Sequence, residues 1–213
     1  MAAQRDWWTD WNLSYLDDAY GPVYGGHSVQ EAVYNTLQKW LPTYIAEFNR
    51  VLGSEVLELP FEYRHRPEFR TLPRNAKAAV LVSVPTTVGS PQIYQNAIRT
   101  NFRVEAMVYV YGTKDWQETE ALTQAYTACI RTCLVQKRGL EGFAETTVWD
   151  GEEYLEGEHS SGRTTGIGHA RFVVTVGSAM NMHGGLPLPS TAAPSALPEV
   201  EAVNIAVEKE PLQ

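Results

Sequence analysis

Between Val29 and Leu52 apolar side chains return every third or fourth residue: Val29, Ala32, Val33, Leu37, Trp40, Leu41, Tyr44, Ile45, Phe48 and Leu52. That spacing lays one apolar stripe along a helix. Ser28 and Glu31 stand as a capping box, each side chain satisfying a backbone N–H at the helix start. Pro42 removes a hydrogen bond inside the pattern, which predicts a kink or two consecutive helices. Gly53 ends the element.

The period then changes. "AAVLVSV", residues 78–84, is continuously apolar, as a strand buried on both faces would be. "PTTVGSPQIYQNAIRT" reads as a long connection. In "NFRVEAMVYVYG" the residues alternate: Phe102, Val104, Ala106, Val108 and Val110 point one way, and Arg103, Glu105, Met107, Tyr109 and Tyr111 the other. The face carrying Met107, Tyr109 and Tyr111 is too apolar for free solvent, so another segment or another subunit is expected to cover it. A second helix follows, capped by Asp115 and Glu118, with a core stripe of Leu122, Ala125, Tyr126, Cys129, Ile130, Cys133 and Leu134. Lys137 and Arg138 suit its negative end, and Gly139 stops it.

"AETTVW" and "EEYLEG" flank Asp150-Gly151, a two-residue hairpin signal. "EHSSGRTTGIG" is a polar loop whose glycines read as flexibility. "HARFVVTVG" is a closing strand with Ala170, Phe172, Val174 and Val176 inward. Helix, strand, strand, helix, hairpin, strand predicts an α+β fold. Its sheet is mixed or antiparallel, with the helices packed on one side, and it carries an extended N-terminal arm and a C-terminal extension.

Three regions follow from the composition. Residues 1–27 form an arm with Trp7, Trp8 and Trp11 that fits no period; it either wraps its own domain or docks on a neighbour. Residues 28–181 are the core domain. Residues 182–213 are a Pro/Ala/Ser-rich linker followed by "VEAVNIAVEKE", with Val203, Ile205 and Val207 on one face. That last segment is either a strand that augments a sheet edge, in its own or an adjacent subunit, or a disordered tail.

The 213 residues carry a net charge of −8, which disfavours nucleic acid as a wrapped partner, because affinity for phosphates comes mainly from Lys and Arg. No apolar run approaches the roughly 20 residues that span a bilayer, so no membrane role is expected. The N-terminus lacks the apolar core of a signal peptide, and the expected setting is cytoplasmic. Cys129 and Cys133, four apart on one helix face, read as small core residues.

Gly112-Thr113-Lys114-Asp115, between a strand and a helix, suggests a nucleotide site. It lacks the G-x-x-x-x-G-K-[ST] loop, and the guanine-reading spacing is short by one residue. "GRTTGIG" precedes a strand where a dinucleotide fingerprint opens a helix. His27, His65, His159, His169 and His183 show no ligand spacing. Asp150, Glu152, Glu153, Glu156 and Glu158 lack a calcium-loop arrangement and read as a solvated face. Arg64, Arg66 and Arg70 form a small basic patch suited to an acidic neighbour or to the domain's own carboxylates. No catalytic, cofactor or metal site is expected. The expected partner surface is Trp7, Trp8, Trp11, Met107, Tyr109, Tyr111, Arg163 in the glycine-rich loop, Val203, Ile205 and Val207.

Over residues 28–178 the order of elements resembles the tail terminator (tail completion) proteins of long, non-contractile-tailed bacteriophages. The resemblance rests on the helix with "LQKWL", on "AAVLVSV" and the long loop after it, on "NFRVEAMVYVYGTKDWQETEALTQAYTACIRTCL", and on the closing "ARFVVTV". It implies an α+β subunit of a homohexameric ring that sits on the tail-tube protein, stops tube polymerisation and meets the head-closure or connector protein. DNA would pass through the lumen without specific binding, and the protein would be assembled in the host cytoplasm and reside at the head–tail junction of the virion. The alternatives are another neck component, a head-closure or adaptor protein, and a small nucleotide-binding enzyme.

Overall fold

The computed structural model describes residues 24–60, 62–64, 77–94, 97–111, 115–158 and 164–181. Helix α1, Gly26–Leu52, is followed by β1, Glu62–Arg64, β2, Ala78–Tyr94, and β3, Ala97–Tyr111. Helix α2, Trp116–Gln136, a short 3-10 turn at Leu140–Gly142, β4, Thr146–Glu158, and β5, Thr164–Asn181, complete the core. Among the described residues the strands form one five-stranded sheet in the order β1-β2-β3-β5-β4. Of these pairings β1 with β2 is parallel and the other three are antiparallel. The α+β expectation, with both helices on one face, holds.

Strand alternation explains how the layers meet. Val80, Val82, Phe102, Val104, Ala106, Val108, Val110, Ala170, Phe172, Val174 and Val176 share one core cluster with Val29, Val33, Leu37, Leu41 and Ile45 of α1 and with Tyr126, Cys129, Ile130, Cys133 and Leu134 of α2. These are the inward positions that the sequence alternation marks. "AAVLVSV" is buried on both faces, as its continuous apolar run predicts: Ala79 and Leu81 are 3% and 2% exposed on the side away from the helices.

Several local expectations are corrected. Helix α1 enters at Gly26 with Gly25 as N-cap, and the Val29 N–H donates to the Gly25 carbonyl at 3.2 Å. Ser28 and Glu31 therefore lie inside the helix rather than capping it. The helix is one element through Pro42, because the buried stripe continues on both sides of the ring, at Leu41 and Ile45. It ends as expected on Gly53, at φ 69°. The end of α2 is different: Gly139 keeps φ −84°, and the chain reverses on Leu140 and Glu141, at φ 45° and 61°.

The "long connection" after β2 is strand. Thr86, Thr87, Val88 and Ile93 suit a pleated backbone, and β2 pairs with β3 as far as Tyr94–Ala97. Its register shifts fall between Ser83 and Thr86 and between Val88 and Gln92, the intervals that hold Pro85 and Pro91. Proline is tolerated where the ladder is already interrupted. Asp150-Gly151 is likewise no hairpin turn. β4 runs straight through it beside β5, with one irregularity between Trp149 and Gly151 and Gly151 at φ 139°. The pair makes a bulge because β5 is long enough, at 18 residues, to take both halves as one strand.

The glycines of β5 have a packing role. A Cβ on Gly166 would collide with Thr123 Oγ1 and stand 3.1 Å from Thr123 Cβ; one on Gly168 would collide with Thr127 Oγ1 and stand 3.2 Å from Val108 Cγ1. Their expected flexibility gives way to close approach of α2. Thr119, Thr123 and Thr127 repeat at four on the α2 face that meets them and are at most 3% exposed. The Thr119, Thr123 and Thr127 hydroxyls donate to the carbonyls of Asp115, Thr119 and Thr123 at 3.0, 2.7 and 2.7 Å, so the buried oxygens stay satisfied. Asp115 caps this helix as expected, accepting from the Gln117 N–H at 3.0 Å.

Two outcomes follow. Gly168→Ala should lower unfolding free energy by about 1–3 kcal/mol, the range for overpacking. Gly139→Ala, whose Cβ would meet only ordinary contact at 3.7 Å, should stay within about 0.5 kcal/mol; urea denaturation of both variants measures the difference. Burial also pushes the thiols of Cys129 and Cys133 up to about 11 and about 12 from 9.0, and the Tyr126 hydroxyl, which donates to the Glu58 carbonyl at 2.7 Å, up to about 12 from 10.0. Folded values above unfolded ones mean stability that is full below the unfolded pKa and lost as pH climbs through the folded one. The urea midpoint should thus fall between about pH 9 and pH 12, and Cys129→Ala/Cys133→Ala should flatten the early part of that fall.

Candidate interaction surface

The sheet's second face, away from the helices, is built in rows across the strands. Strand registers place Ala79, Tyr109, Ile167 and Leu155 side by side, then Leu81, Met107, His169 and Glu153, then Ser83, Glu105, Arg171 and Gly151. Beyond them lie Thr86, Arg103, Val173 and Val148. The face is thus apolar at the Tyr109 row and charged around the Arg171 row, with Val173 and Val148 beside Arg103 beyond it.

At the apolar end Leu81, Met107 and Tyr109 are buried in a cluster of their own, with Ile167 packed against it. The Tyr109 hydroxyl approaches Met107 Sδ at 3.8 Å. Burial, with a smaller contribution from Tyr111, holds its phenol above the usual range. The row does not end in the interior, because Leu155 on the edge strand is 43% exposed. Tyr111, half-buried, stands opposite Thr165.

At the charged end the carboxylates of β4 are engaged by arginines from neighbouring elements. Asp150 faces Arg103 at 3.7 Å, Glu153 faces Arg171 at 3.7 Å, and Glu152, on the helix side, holds Arg131 at 2.9 Å. Tyr154 donates its hydroxyl to the other Glu152 oxygen at 2.6 Å. Burial and that bond push the Tyr154 phenol up to about 12. The Arg131 guanidinium also stands over the Trp149 ring at 5.2 Å. The acidic cluster is thus part of an ion-pair lattice, and among the described residues no group of three or more His, Cys, Asp or Glu is placed to hold a metal ion. Likewise, none of the described helices is long and apolar enough to cross a membrane.

Of the expected partner residues, Met107, Tyr109 and Tyr111 fall together on this face. Trp7, Trp8, Trp11, Arg163, Val203, Ile205 and Val207, like the Gly112–Lys114 turn, lie outside the described residues. β4 is not among the expected partner residues. Val148, Trp149, Tyr154 and Leu155 on that one strand are 54%, 45%, 42% and 43% exposed. Their signal was present as apolar pairs set in an acidic run, but the hairpin reading assigned them to two short strands with separate faces.

No family model matches the chain, and no curated protein matches it. Among solved structures it is similar to a chain from the virion of a native gene transfer agent particle, at 13% identity and a TM-score of 0.41, covering 70% of this chain and 94% of that one. The likeness is one of outline, and no role is taken from it.

Tyr109→Lys would place a cation in the apolar cluster and should destabilise the fold by about 3 kcal/mol or more, whereas Tyr109→Phe should cost about 1 kcal/mol or less. Thermal melts of the two variants give the comparison; equal melting temperatures would contradict the packing described.

Proposed function

We propose that the chain is a structural subunit of a phage-like virion: it forms a ring that caps the tail tube, ends tail polymerisation and joins tail to head. The observation that carries this reading is the element order. An amphipathic helix, β2 paired with β3, helix α2 after β3 and the closing strand β5 occupy the residues on which the tail terminator resemblance rests, with strand in place of the long loop expected after "AAVLVSV". The exposed apolar positions of β4 support it further, since side chains of that kind are covered when identical subunits meet. In this reading the partners are further copies of the chain, the tail-tube protein below and the connector above, with DNA passing through the lumen without specific binding, to which the chain's net charge of −8 is suited.

The test has two parts. Electron microscopy of the purified protein, alone and mixed with tail-tube protein, should show rings or capped tubes of fixed length. Loss of the gene from its phage should leave filled heads beside unjoined tails of irregular length. A protein that stays monomeric with tube protein, together with intact virions lacking it, would refute the assignment.

A further inference from the structure

Burial on the far face of the sheet is graded across the strands. In one row Ala79 and Tyr109 are 3% and 6% exposed, Ile167 is half-buried and Leu155 is exposed. In the next, Leu81 and Met107 are 2% and 8% exposed, His169 is half-buried and Glu153 is exposed. Two rows further on, Thr86 is exposed on the same face. Burial is thus deepest on β2 and β3, and at the level of β1, whose Glu62 and Arg64 stand opposite Ala79 and Leu81. Neighbours within a sheet lie beside a side chain and leave its outer surface open. Among the described residues the members of this cluster all come from strands, so burial this deep requires a segment above them.

Topology supplies one. β1 and β2 are parallel neighbours, so the chain between Arg64 and Ala78 crosses one face of the sheet to join them. The helix side is filled there: α1 shares a cluster with Val80 and Val82, and Tyr34 meets the Tyr63 ring edge-on at 6.2 Å. Chirality selects the same answer. The Lys77 carbonyl accepts from the Tyr111 N–H at 2.8 Å, so odd-numbered residues at the start of β2 turn their amides to β3, and Val80 and Val82 turn theirs to the β1 side. The Val82 carbonyl accordingly accepts from Gln30 Nε2 at 2.6 Å. Val80 and Val82 point their side chains at the helices. For L-residues this combination puts β1 to the right of an upward β2 seen from the helix side. A right-handed passage from β1 to β2, the hand of about 98% of such crossovers, then runs over the far face.

We infer that residues 65–76, "HRPEFRTLPRNA", lie across the far face of their own subunit and cover Leu81, Met107 and Tyr109, with Phe69 and Leu72 as the side chains that meet them. The length suffices. A path out over β3 and back to β2 takes about 15 Å across the strands and about 13 Å along them, within the roughly 40 Å that such a segment spans when extended. The segment starts and ends at the β1 edge, which accounts for burial that fades towards β4. The apolar face carrying Met107 and Tyr109 is then closed within the subunit. What it offers a neighbour is a segment bearing Arg66, Arg70 and Arg74, a surface for an acidic partner in place of an apolar one.

Photo-cross-linking in the full-length chain tests this. Benzoylphenylalanine in place of Phe69, in chains checked for folding by circular dichroism, should on irradiation join the tryptic peptide Val104–Lys114 of the same chain. Mixed heavy- and light-nitrogen chains should give links within one isotope only. Links that bypass this peptide, or no link at all, would overturn the assignment; links between isotopes would give the face to a second copy instead. A second arm reads Met107 directly. Phe69→Ser/Leu72→Ser should raise its oxidation by hydrogen peroxide at least several-fold, followed by peptide mass. Trp7→Ser/Trp8→Ser/Trp11→Ser and Val203→Ser/Ile205→Ser/Val207→Ser should leave that rate unchanged. Faster oxidation in either of these two, with Met107 still protected in Phe69→Ser/Leu72→Ser, would assign the cover to the N-terminal arm or the terminal segment and overturn the inference.

Discussion

The seating of α2 on β5 is the contact on which the rest of the core depends. Thr123 and Thr127 occupy space that any side chain at Gly166 or Gly168 would need. With that space open, the helix descends far enough for Tyr126, Ile130 and Leu134 to reach the same cluster as Phe172 and Val174. Threonine suits the contact because the hydroxyl that stands against the glycine also donates to the carbonyl four residues earlier. A larger apolar residue would hold the helix away. A smaller one would leave a void, and voids in cores are costly.

From that seating the second helix finds its place. Helix α1 packs beside α2, and polar contacts at the periphery fix how the two lie. Glu141, on the reversed turn after α2, accepts from Lys39 Nζ at 2.7 Å and Trp40 Nε1 at 2.6 Å. Lys137 stands over the Trp40 ring at 3.6 Å. At the other end of α1, the Asn49 side chain accepts from the backbone N–H groups of Val56 and Leu57 and donates to the Leu57 carbonyl at 2.8 Å. This folds the exit of the helix back so that Leu57 is buried and Glu58 meets Tyr126. Exposed ion pairs contribute little each, so these contacts select an orientation more than they supply stability.

The parts of the fold that were legible in the sequence are those whose signal is carried by one element. The inward positions of β3 and β5 follow from alternation alone. The Asp115 cap and the buried Cys129 and Cys133 follow from helical period. What was missed depends on a partner. Asp150-Gly151 makes a turn or a bulge according to the length of strand beside it, and β5 lies later in the chain. Pro85 and Pro91 break a strand or sit at its irregularities according to the register of β3. Gly166 and Gly168 are loose or tightly packed according to which helix lies above them. The partner surface divides in the same way: Met107, Tyr109 and Tyr111 were marked by alternation, whereas β4 came into view only when its two halves proved to be one edge.

Asymmetry between the two edges bears on how such a subunit can assemble. An identical pair of edges favours a two-fold dimer, because the same groups meet each other across the axis. Here one edge concentrates negative charge, whereas on the other side residues 83–94 of β2, beyond β1, carry none. Asp150, Glu152 and Glu153 are held by Arg103, Arg131 and Arg171, so part of that negative charge is compensated within the subunit. The ion pairs also hold the β4 side chains in place before any partner arrives, so less ordering entropy is lost on docking. On the ring reading proposed above, this asymmetry favours a directional arrangement of neighbours over a two-fold one.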